Sequence, residues 1–249
     1  MGKKKDLIYG LHAVEQVLNI APESILSAWI QDSVKSNAVE AIRNELEKLG
    51  SSIQTVPRPT LDKLTKNQNH QGVLLEVRRT ANKTEHDLDD VLEKNKDGNP
   101  LYLILASVQD PHNLGACIRT ADAAGVTAVI IPKDRAVSVN DTVRKVASGA
   151  VENIVVISVV NLVRAIKKIK DAGVWVVGTA GDAEQSIYDI DMKTATAIVM
   201  GGEDKGMRAS ISKECDYIAS IPIKGKIESL NVSVAAGVAL YEVVRQRLR

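Results

Sequence analysis

The second half of the chain alternates short apolar, β-branched runs with longer stretches whose apolar residues recur every three or four positions. The runs predict strands at Leu101–Leu105, Ala128–Ile131, Ile154–Ile157, Val174–Val177, Ala197–Met200 and Tyr217–Ile221. The helical spacing is found at Leu114–Ala124, Val139–Ala147, Leu162–Ala172 and about Val232–Leu248. This alternation predicts an α/β fold in which helices cover both faces of a parallel sheet. Ligands of such folds bind beyond the carboxyl ends of the strands, so the residues after each strand are candidates for chemistry.

A shorter α/β pattern precedes this region. Ala28–Ile30 and Val73–Val77 are typical of strands, and Lys35–Leu49 carries apolar residues at helical spacing. A polar, charge-rich stretch from Thr80 to Asn99 then separates the two regions of denser apolar pattern. The sequence therefore predicts a small α/β domain at residues 1–80, a linker at 81–99 and a larger α/β domain at 100–249.

Composition and charge narrow the class of protein. The 249 residues are 45% hydrophobic and 25% charged, as in ordinary globular proteins. The 32 basic and 31 acidic residues give a net charge of +1, so any nucleic-acid contact has to come from local basic patches. Every apolar run is far shorter than a membrane span, and no secretory signal pattern follows the basic N-terminus. We therefore expect a cytoplasmic protein without a membrane segment.

The cysteines and histidines show no metal-ligand spacing. Cys117 and Cys215 stand far apart within predicted helical segments, which favours two reduced thiols that serve as small apolar side chains. The four histidines are scattered, at His12, His70, His86 and His112. Isolated histidines are more often structural or solvated than ligands, so we expect no metal.

Three segments that follow predicted strands hold candidate functional residues, and the first is Asp110–Asp122. In it Asn113 suits the N-cap of the following helix, and Arg119 lies six residues further along. Taken alone, this segment favours a capped amphipathic helix with a solvated arginine.

The second segment is Val199–Met207, where a predicted strand ends in Gly201 and Gly202, with Glu203 directly behind them. Paired glycines permit a close approach of the backbone to a ligand, and a carboxylate accepts hydrogen bonds from hydroxyl or amine groups. Taken alone, an ordinary turn explains the segment equally well.

The third segment, Ile221–Gly237, passes from a strand through a basic turn into the start of a helix. Lys224 and Lys226 in the turn are suited to phosphate, and Ser229 or Asn231 is suited to cap the helix. A capped helix beside two solvated lysines is again a sufficient explanation when the segment is taken alone.

In combination the three segments are far more specific. They read Asn113-Leu-Gly-x-x-x-Arg-Thr-Ala, Gly201-Gly-Glu-x-x-Gly and Ile221-Pro-x-x-Gly-x-x-x-Ser-Leu-Asn-Val-Ser-Val-Ala. In this order and spacing they resemble the three signature motifs of the SpoU (SPOUT) RNA methyltransferases. The segments Ile8–Val14 and His70–Val73 are similar to those of the branch that methylates a guanosine ribose in the P loop of bacterial 23S rRNA. The resemblance covers essentially the whole chain.

The resemblance implies transfer of a methyl group from S-adenosylmethionine to a ribose 2'-hydroxyl of large-subunit rRNA. It implies a C-terminal trefoil knot that binds the cofactor, and a homodimer in which each subunit completes the other's site. It also implies that residues 1–80 form a ribosomal-protein-like RNA-binding domain. The knot comes from the resemblance only, because periodicity alone predicts an ordinary, unthreaded sheet.

The resemblance also assigns site residues. The backbone around five positions would line the cofactor pocket: Thr179, Gly201, Gly202, Ile221 and Leu230. The catalytic group would be Asn113, Arg119, Glu203, Ser229 and Asn231. The family's proposed base is the arginine of the first motif, yet a guanidinium stays protonated. We therefore expect Arg119 to hold the adjoining phosphate and stabilise the developing alkoxide. Asn113, Glu203 and Asn231 would fix the geometry, and Ser229 would help hold Arg119 or the third-motif turn.

The chain departs from the family pattern in two segments. Ala106-Ser107 stands where relatives commonly have Asp-Gly, and Lys224 and Lys226 stand where small residues are usual.

Three other functions compete with this interpretation. A tRNA ribose methyltransferase of the same superfamily is the first alternative, against which the His70–Val73 segment weighs. A non-catalytic RNA-binding or ribosome-assembly factor is the second, and the joint presence of the motif residues weighs against it. An unrelated α/β nucleotide-binding enzyme ranks last, because phosphate-loop and dinucleotide motifs are absent from the sequence.

Overall fold

The computed structural model describes residues 5–34, 36–78, 83–202 and 206–248. The chain divides into two compact units, Met1–Ala81 and Asn82–Arg249, and each has its own hydrophobic core. No helix within the described ranges is both long enough and apolar enough to cross a membrane.

The first unit is a four-stranded sheet with helices packed against it. Its strands and helices are β1 (Lys5–Tyr9), α1 (Leu11–Ile20), β2 (Ile25–Gln31), α2 (Asn37–Lys48), β3 (Ile53–Val56), α3 (Arg58–Leu64) and β4 (Val73–Arg78). The strand order is β1-β4-β2-β3, in which β4 is antiparallel to β1 and β2 while β3 is parallel to β2. The predicted strands and helix are confirmed, although Lys35, where the helix was expected to begin, lies outside the described residues.

The second unit is an eight-stranded sheet whose paired strands all run parallel. Its strands are β5 (Lys83–Thr84), β6 (Leu101–Leu105), β7 (Ala128–Pro132), β8 (Val155–Val159), β9 (Trp175–Thr179), β10 (Gln185–Ser186), β11 (Thr196–Met200) and β12 (Tyr217–Ser220). Its helices are α4 (Glu85–Lys94), α5 (Pro111–Ala123), α6 (Asp141–Ala147), α7 (Ala150–Asn153), α8 (Leu162–Asp171), α9 (Ala209–Ser212) and α10 (Val232–Arg247). The strand order is β10-β12-β9-β11-β6-β7-β8-β5.

The core of this unit lies on both faces of the sheet. Strand β6 is buried along its whole length, and its alternate side chains enter two different apolar clusters. Leu103 joins the cluster beneath α5 and α10, whereas Tyr102 and Ile104 join the cluster beneath α4 and α8. The predicted parallel sheet, covered by helices on both faces, is therefore confirmed.

The polar segment expected to be a linker contributes β5 and α4 to the second unit. Helix α4 carries only three apolar residues, and all of them are buried: Leu88, Val91 and Leu92. Two ion pairs fasten its polar side to α8, Glu85 with Arg164 and Asp89 with Lys168. The Arg164 guanidinium holds the pKa of Glu85 below its ordinary value. Because so few apolar residues hold this helix, the segment resembles a solvated linker in the sequence.

Candidate active site

Four neighbouring strands of the second unit bring their carboxyl ends together at one edge of the sheet. These strands lie in the order β12-β9-β11-β6 and run parallel. Thr179 ends β9, Gly201 follows β11, and Ile221 follows β12. The turn from Ile221 to Asn231 then leads into α10. The strand pairing therefore places at one edge the segments expected to line the cofactor pocket.

The two motif glycines are required by the chain's own packing. Gly202 and Gly206 exchange two backbone hydrogen bonds, with N to O distances of 2.9 and 3.2 Å. A Cβ atom on Gly201 would lie 2.7 Å from the carbonyl carbon of Gly206, and one on Gly202 would lie 2.9 Å from the Cβ of Ser107. The turn is thus closed tightly against the loop after β6, where Ser107 belongs to the pair that departs from the family pattern. Glu203, the predicted acid of this turn, lies outside the described residues.

Thr179 closes the end of β9 onto its neighbour. Its hydroxyl donates to the carbonyl of Val199 at 3.1 Å, and the backbone N–H of the next residue, Ala180, donates to Ala219 at 3.0 Å. Ile221 and Leu230 are half-buried in the segment after β12. The edge therefore brings the backbone of the strand ends beside half-buried apolar side chains, a combination suited to an aromatic base with an attached sugar.

Helix α5 begins earlier than the sequence suggested. Asp110 is its N-cap, and its carboxylate accepts a hydrogen bond from the backbone N–H of His112 at 3.0 Å. Pro111 occupies the first helical position, where its lack of an N–H costs nothing. The prediction that Asn113 caps this helix is therefore wrong, because Asn113 lies within its first turn.

Asn231 joins the first and third motifs. It caps α10, and its Oδ1 accepts from the backbone N–H of Ser233 at 2.9 Å and from the Ser233 hydroxyl at 2.6 Å. Its Nδ2 donates to Oδ1 of Asn113 at 3.0 Å. Of the two caps considered for α10, the structure uses Asn231. The bonds on both ends of its amide fix the orientation of this side chain, and through it that of Asn113.

Arg119 lies on the exposed side of α5, and its Nη1 donates to the hydroxyl of Ser148 at 3.4 Å. The sequence did not single out Ser148, which lies between α6 and α7. Ser229 is exposed in the third-motif turn, as are Lys224 and Lys226. A contact of Ser229 with Arg119 is not among the hydrogen bonds of the described residues, so the role assigned to Ser229 stays a prediction.

The described ranges hold no group of three or more His, Cys, Asp or Glu side chains that could bind a metal ion. The motif segments instead carry a guanidinium, two lysines, amides and hydroxyls. These groups are donors suited to anionic oxygen atoms, and the fixed amides suit orientation rather than proton abstraction.

Comparison with known proteins identifies the class. The model of the SpoU rRNA Methylase family matches residues 100–241, and the model of RNA 2'-O ribose methyltransferase substrate binding matches residues 7–82. The chain belongs to the SpoU rRNA methylase family. The resemblance inferred from the three motifs is thereby confirmed.

Its relatives include enzymes that carry the same name. The chain is 46% identical to the 23S rRNA (guanosine-2'-O-)-methyltransferase RlmB of Vibrio vulnificus (strain CMCP6), over 98% of each chain. It is 46% identical to the enzyme of the same name from Pasteurella multocida (strain Pm70), over 97% of this chain and 98% of the relative. The crystal structure of an AdoMet-bound rRNA methyltransferase from Sinorhizobium meliloti matches with a TM-score of 0.82 and 26% identity, over 98% of this chain and 88% of that one.

Proposed function

We propose that this protein transfers a methyl group from S-adenosylmethionine to the 2'-hydroxyl of a guanosine in 23S rRNA, in the P loop of the peptidyl-transferase region. The observation that carries the proposal is the full-length match, at 46% identity, to methyltransferases named for the guanosine 2'-O position of 23S rRNA. The joined motifs at the sheet edge support it, because they bring Asn113 and Asn231 into contact although 118 residues separate them.

The strand ends fit the cofactor. Thr179, Gly201, Gly202, Ile221 and Leu230 would hold it, through backbone polar groups and the half-buried apolar side chains. When bound, S-adenosylmethionine supplies a methyl group activated by a sulfonium centre. The tight packing at both motif glycines supports this assignment, since it fixes the turn before any ligand arrives.

The chain's own residues would orient the ribose and stabilise charge. Transfer requires the 2'-hydroxyl to lie in line with the methyl group and to lose its proton. The amides of Asn113 and Asn231 are fixed by their mutual hydrogen bond and suit the first task. Arg119 would hold the phosphate and the developing alkoxide, as a permanent cation. Glu203 and Ser229 complete the proposed catalytic group.

Residues 1–80 would serve as the RNA-binding domain and 100–249 as the catalytic domain, with β5 and α4 packed onto the latter. The match of the substrate-binding model to residues 7–82 supports this division. Lys224 and Lys226 would add phosphate contacts near the cofactor, and such contacts weaken as salt rises. We place the enzyme in the cytoplasm, where rRNA is made and assembled in bacteria.

A trefoil knot formed by the C-terminal segment is also part of the proposal. The last turn of α10 is bound to the segment between β10 and β11: Gln246 Nε2 donates to the carbonyl of Ile190 at 2.9 Å, and its Oε1 accepts from the N–H of Met192 at 2.8 Å. Arg247 donates to the carbonyl of Thr194 at 2.6 Å. These bonds support a C-terminal helix held against that segment. An experimental chain trace tests whether the C-terminal segment is threaded through a knot.

A homodimer through α10 completes the proposal. Val234 and Tyr241 on the exposed side of this helix, and Leu248 at its C-cap, recur every seven residues, with 53%, 50% and 82% of their surface exposed. Sedimentation equilibrium should give the mass of two chains for the native protein and one for Tyr241→Glu. Tyr188→Glu, at an equally exposed tyrosine outside the helix, should remain dimeric. A monomeric native protein would remove this part of the proposal.

The decisive experiment offers methyl-labelled S-adenosylmethionine and separate transcripts of 23S rRNA and tRNA, and maps the product by ribose-methylation-sensitive primer extension. We expect one stop in the P loop of 23S rRNA. A DNA copy of that region has no 2'-hydroxyl and should stay unlabelled. Label on tRNA alone would move the protein to the tRNA-modifying branch. Absence of label from both transcripts and from precursor ribosomal particles would indicate a non-catalytic RNA-binding role.

A further inference from the structure

Ser148 occupies an unusual backbone position beside the arginine of the first motif. It ends α6 with φ of 50° and ψ of 45°, in the left-handed region. Serine is found there far less often than glycine or asparagine. The next residue, Gly149, also has a positive φ, of 90°. Strained positions of this kind persist where the surrounding structure holds them, and they concentrate at functional sites.

The surrounding structure does hold this turn. Arg144 on α6 and Glu152 on α7 form an ion pair across it, with 16% and 18% of their side chains exposed. Asn153, at the end of α7, donates to Asp122 of α5 at 2.9 Å. The two helices that flank Ser148 are thus joined to each other. They are also joined to α5, the helix that carries Arg119.

A second close contact fixes α6 against α5. A Cβ atom on Gly115 would lie 2.7 Å from the Cβ of Val146, so the Val146 side chain of α6 lies directly against the backbone of α5 at this point. Ser148 lies two residues beyond Val146. The backbone position of Ser148 relative to α5 is therefore set by packing on both sides and not by the hydrogen bond to Arg119 itself.

We propose that Ser148 is a positioning residue for Arg119 in the methyl-transfer reaction. This inference rests on the proposed function. The guanidinium of Arg119 ends a long, exposed side chain, and ordering such a side chain costs conformational entropy. A hydroxyl held 3.4 Å from Nη1 restricts that side chain while its other N–H groups stay available to a phosphate or an alkoxide.

The effect should appear in catalysis and not in folding. Both Arg119 and Ser148 are exposed, so water competes for the hydrogen bond in the free protein and the bond contributes little to stability. RNA bound over the sheet edge excludes that water, and the bond then strengthens in the complex. Loss of the hydroxyl should lower kcat while the affinity for S-adenosylmethionine stays unchanged.

The test compares three substitutions at Ser148 by single-turnover methylation of the 23S rRNA transcript. Ser148→Ala and Ser148→Gly both remove the acceptor, and each should lower the rate roughly tenfold. Ser148→Gly also relieves the backbone strain. Its rate therefore decides the test if the alanine variant unfolds at a lower temperature than the native protein. Ser148→Asn tolerates the left-handed conformation and restores an acceptor, and it should return the rate to within about threefold of the native value.

Two controls isolate the contact. Ser210→Ala removes an exposed hydroxyl from α9, and its rate should match the native enzyme. In an Arg119→Lys background, the loss of the Ser148 hydroxyl should matter less than in the native protein, because the planar donor group is already gone. Native rates for both Ser148→Ala and Ser148→Gly would overturn the inference, and so would an asparagine variant no better than alanine. A native protein that methylates no RNA would instead overturn the proposed function.

Discussion

At the scale of single residues, the candidate site depends on side chains whose amide or hydroxyl groups have fixed partners. The Oδ1 of Asn231 accepts a hydrogen bond from the first turn of α10, and its Nδ2 donates one to Asn113. These hydrogen bonds give both amides a defined orientation. Arg119 differs, since only one nitrogen of its guanidinium has a partner among the described residues, the hydroxyl of Ser148. The roles proposed above follow this difference: the amides would orient the ribose, and the guanidinium would bind the phosphate and stabilise the developing alkoxide.

Substitution of Arg119 by alanine separates these roles. S-adenosylmethionine should bind with its native affinity, because Arg119 lies outside the strand-end turns that would hold it. Methyl transfer should fall by roughly a hundredfold or more, as when a group that stabilises an oxyanion is removed. Isothermal titration calorimetry measures the first and single-turnover labelling the second. Transfer near the native rate would refute the proposed role of Arg119.

Cys215 packs against Gly178 of β9 and should remain a thiol. Burial raises the pKa of Cys215 to about 12, and the neighbouring Asp216 carboxylate adds to this effect. A group whose pKa is higher in the folded state stabilises the protein fully below its unfolded value, near 9, and this stabilisation is lost as pH rises towards 12. The free energy of unfolding in urea should therefore fall above pH 9, and less steeply for Cys215→Ala. Equal slopes for the two proteins would contradict the assignment.

At the scale of elements, the sequence predicted most strands and the C-terminal helix to within one or two residues. Strand β6 was expected and found at Leu101–Leu105, because a fully apolar run of 5 residues has the length of a buried strand and is too short for a buried helix. The start of α5 was missed, since Asp110 and Asn113 are both good caps and the helical pattern does not separate them. Helix α4 was missed because ion pairs to α8 replace much of the apolar contact that periodicity detects.

The site was predictable as a set of motifs but not as a set of contacts. The bond between Asn231 and Asn113 and the bond between Arg119 and Ser148 join residues far apart in the chain. Local pattern contains no information on such pairs. Ser148 carried only a weak signal, a Ser-Gly pair after a predicted helix, and this is also typical of an ordinary helix end.

The contact between α5 and α6 gives a prediction for Gly115. Alanine normally stabilises a helix relative to glycine by up to about 1 kcal/mol. Here its Cβ would lie 2.7 Å from the Cβ of Val146 and 2.9 Å from the carbonyl oxygen of Val143. Overpacking of this kind costs about 1–3 kcal/mol, so Gly115→Ala should lower the free energy of unfolding.

Urea unfolding of Gly115→Ala and Gly98→Ala measures this effect. A Cβ atom on Gly98 would have its nearest neighbour at 3.7 Å, which is ordinary contact, so this control should match or slightly exceed the native stability. A Gly115 variant as stable as the native protein would show that α6 yields at this contact.

At the scale of the whole molecule, two units with separate cores divide the work proposed for the enzyme. The first contains a mixed sheet with its own buried core, and the second contains every described residue of the candidate site. The family models follow the same division, at residues 7–82 and 100–241. Each unit should therefore retain its own property when the other is removed.

Removal of residues 1–81 tests this division. The remaining chain should melt cooperatively and bind S-adenosylmethionine as the full chain does, because the strand-end turns are intact. Its affinity for the 23S rRNA transcript should fall at least tenfold, as measured by filter binding at fixed salt. Unchanged RNA affinity would remove the role given to the first unit.

The parallel strand order has a consequence for the time course of folding. Strand β11 pairs with β6 although Thr196 and Leu101 stand 95 positions apart, and the Asn231 bond to Asn113 spans 118. Long loops must close before such pairs contribute, so proteins dominated by them acquire native structure slowly. After dilution from urea, the circular dichroism signal of the helices should return first, and cofactor binding should follow with a smaller rate constant. A single shared rate constant would mean that the sheet edge, including the turns that would bind the cofactor, forms together with the helices and not after them.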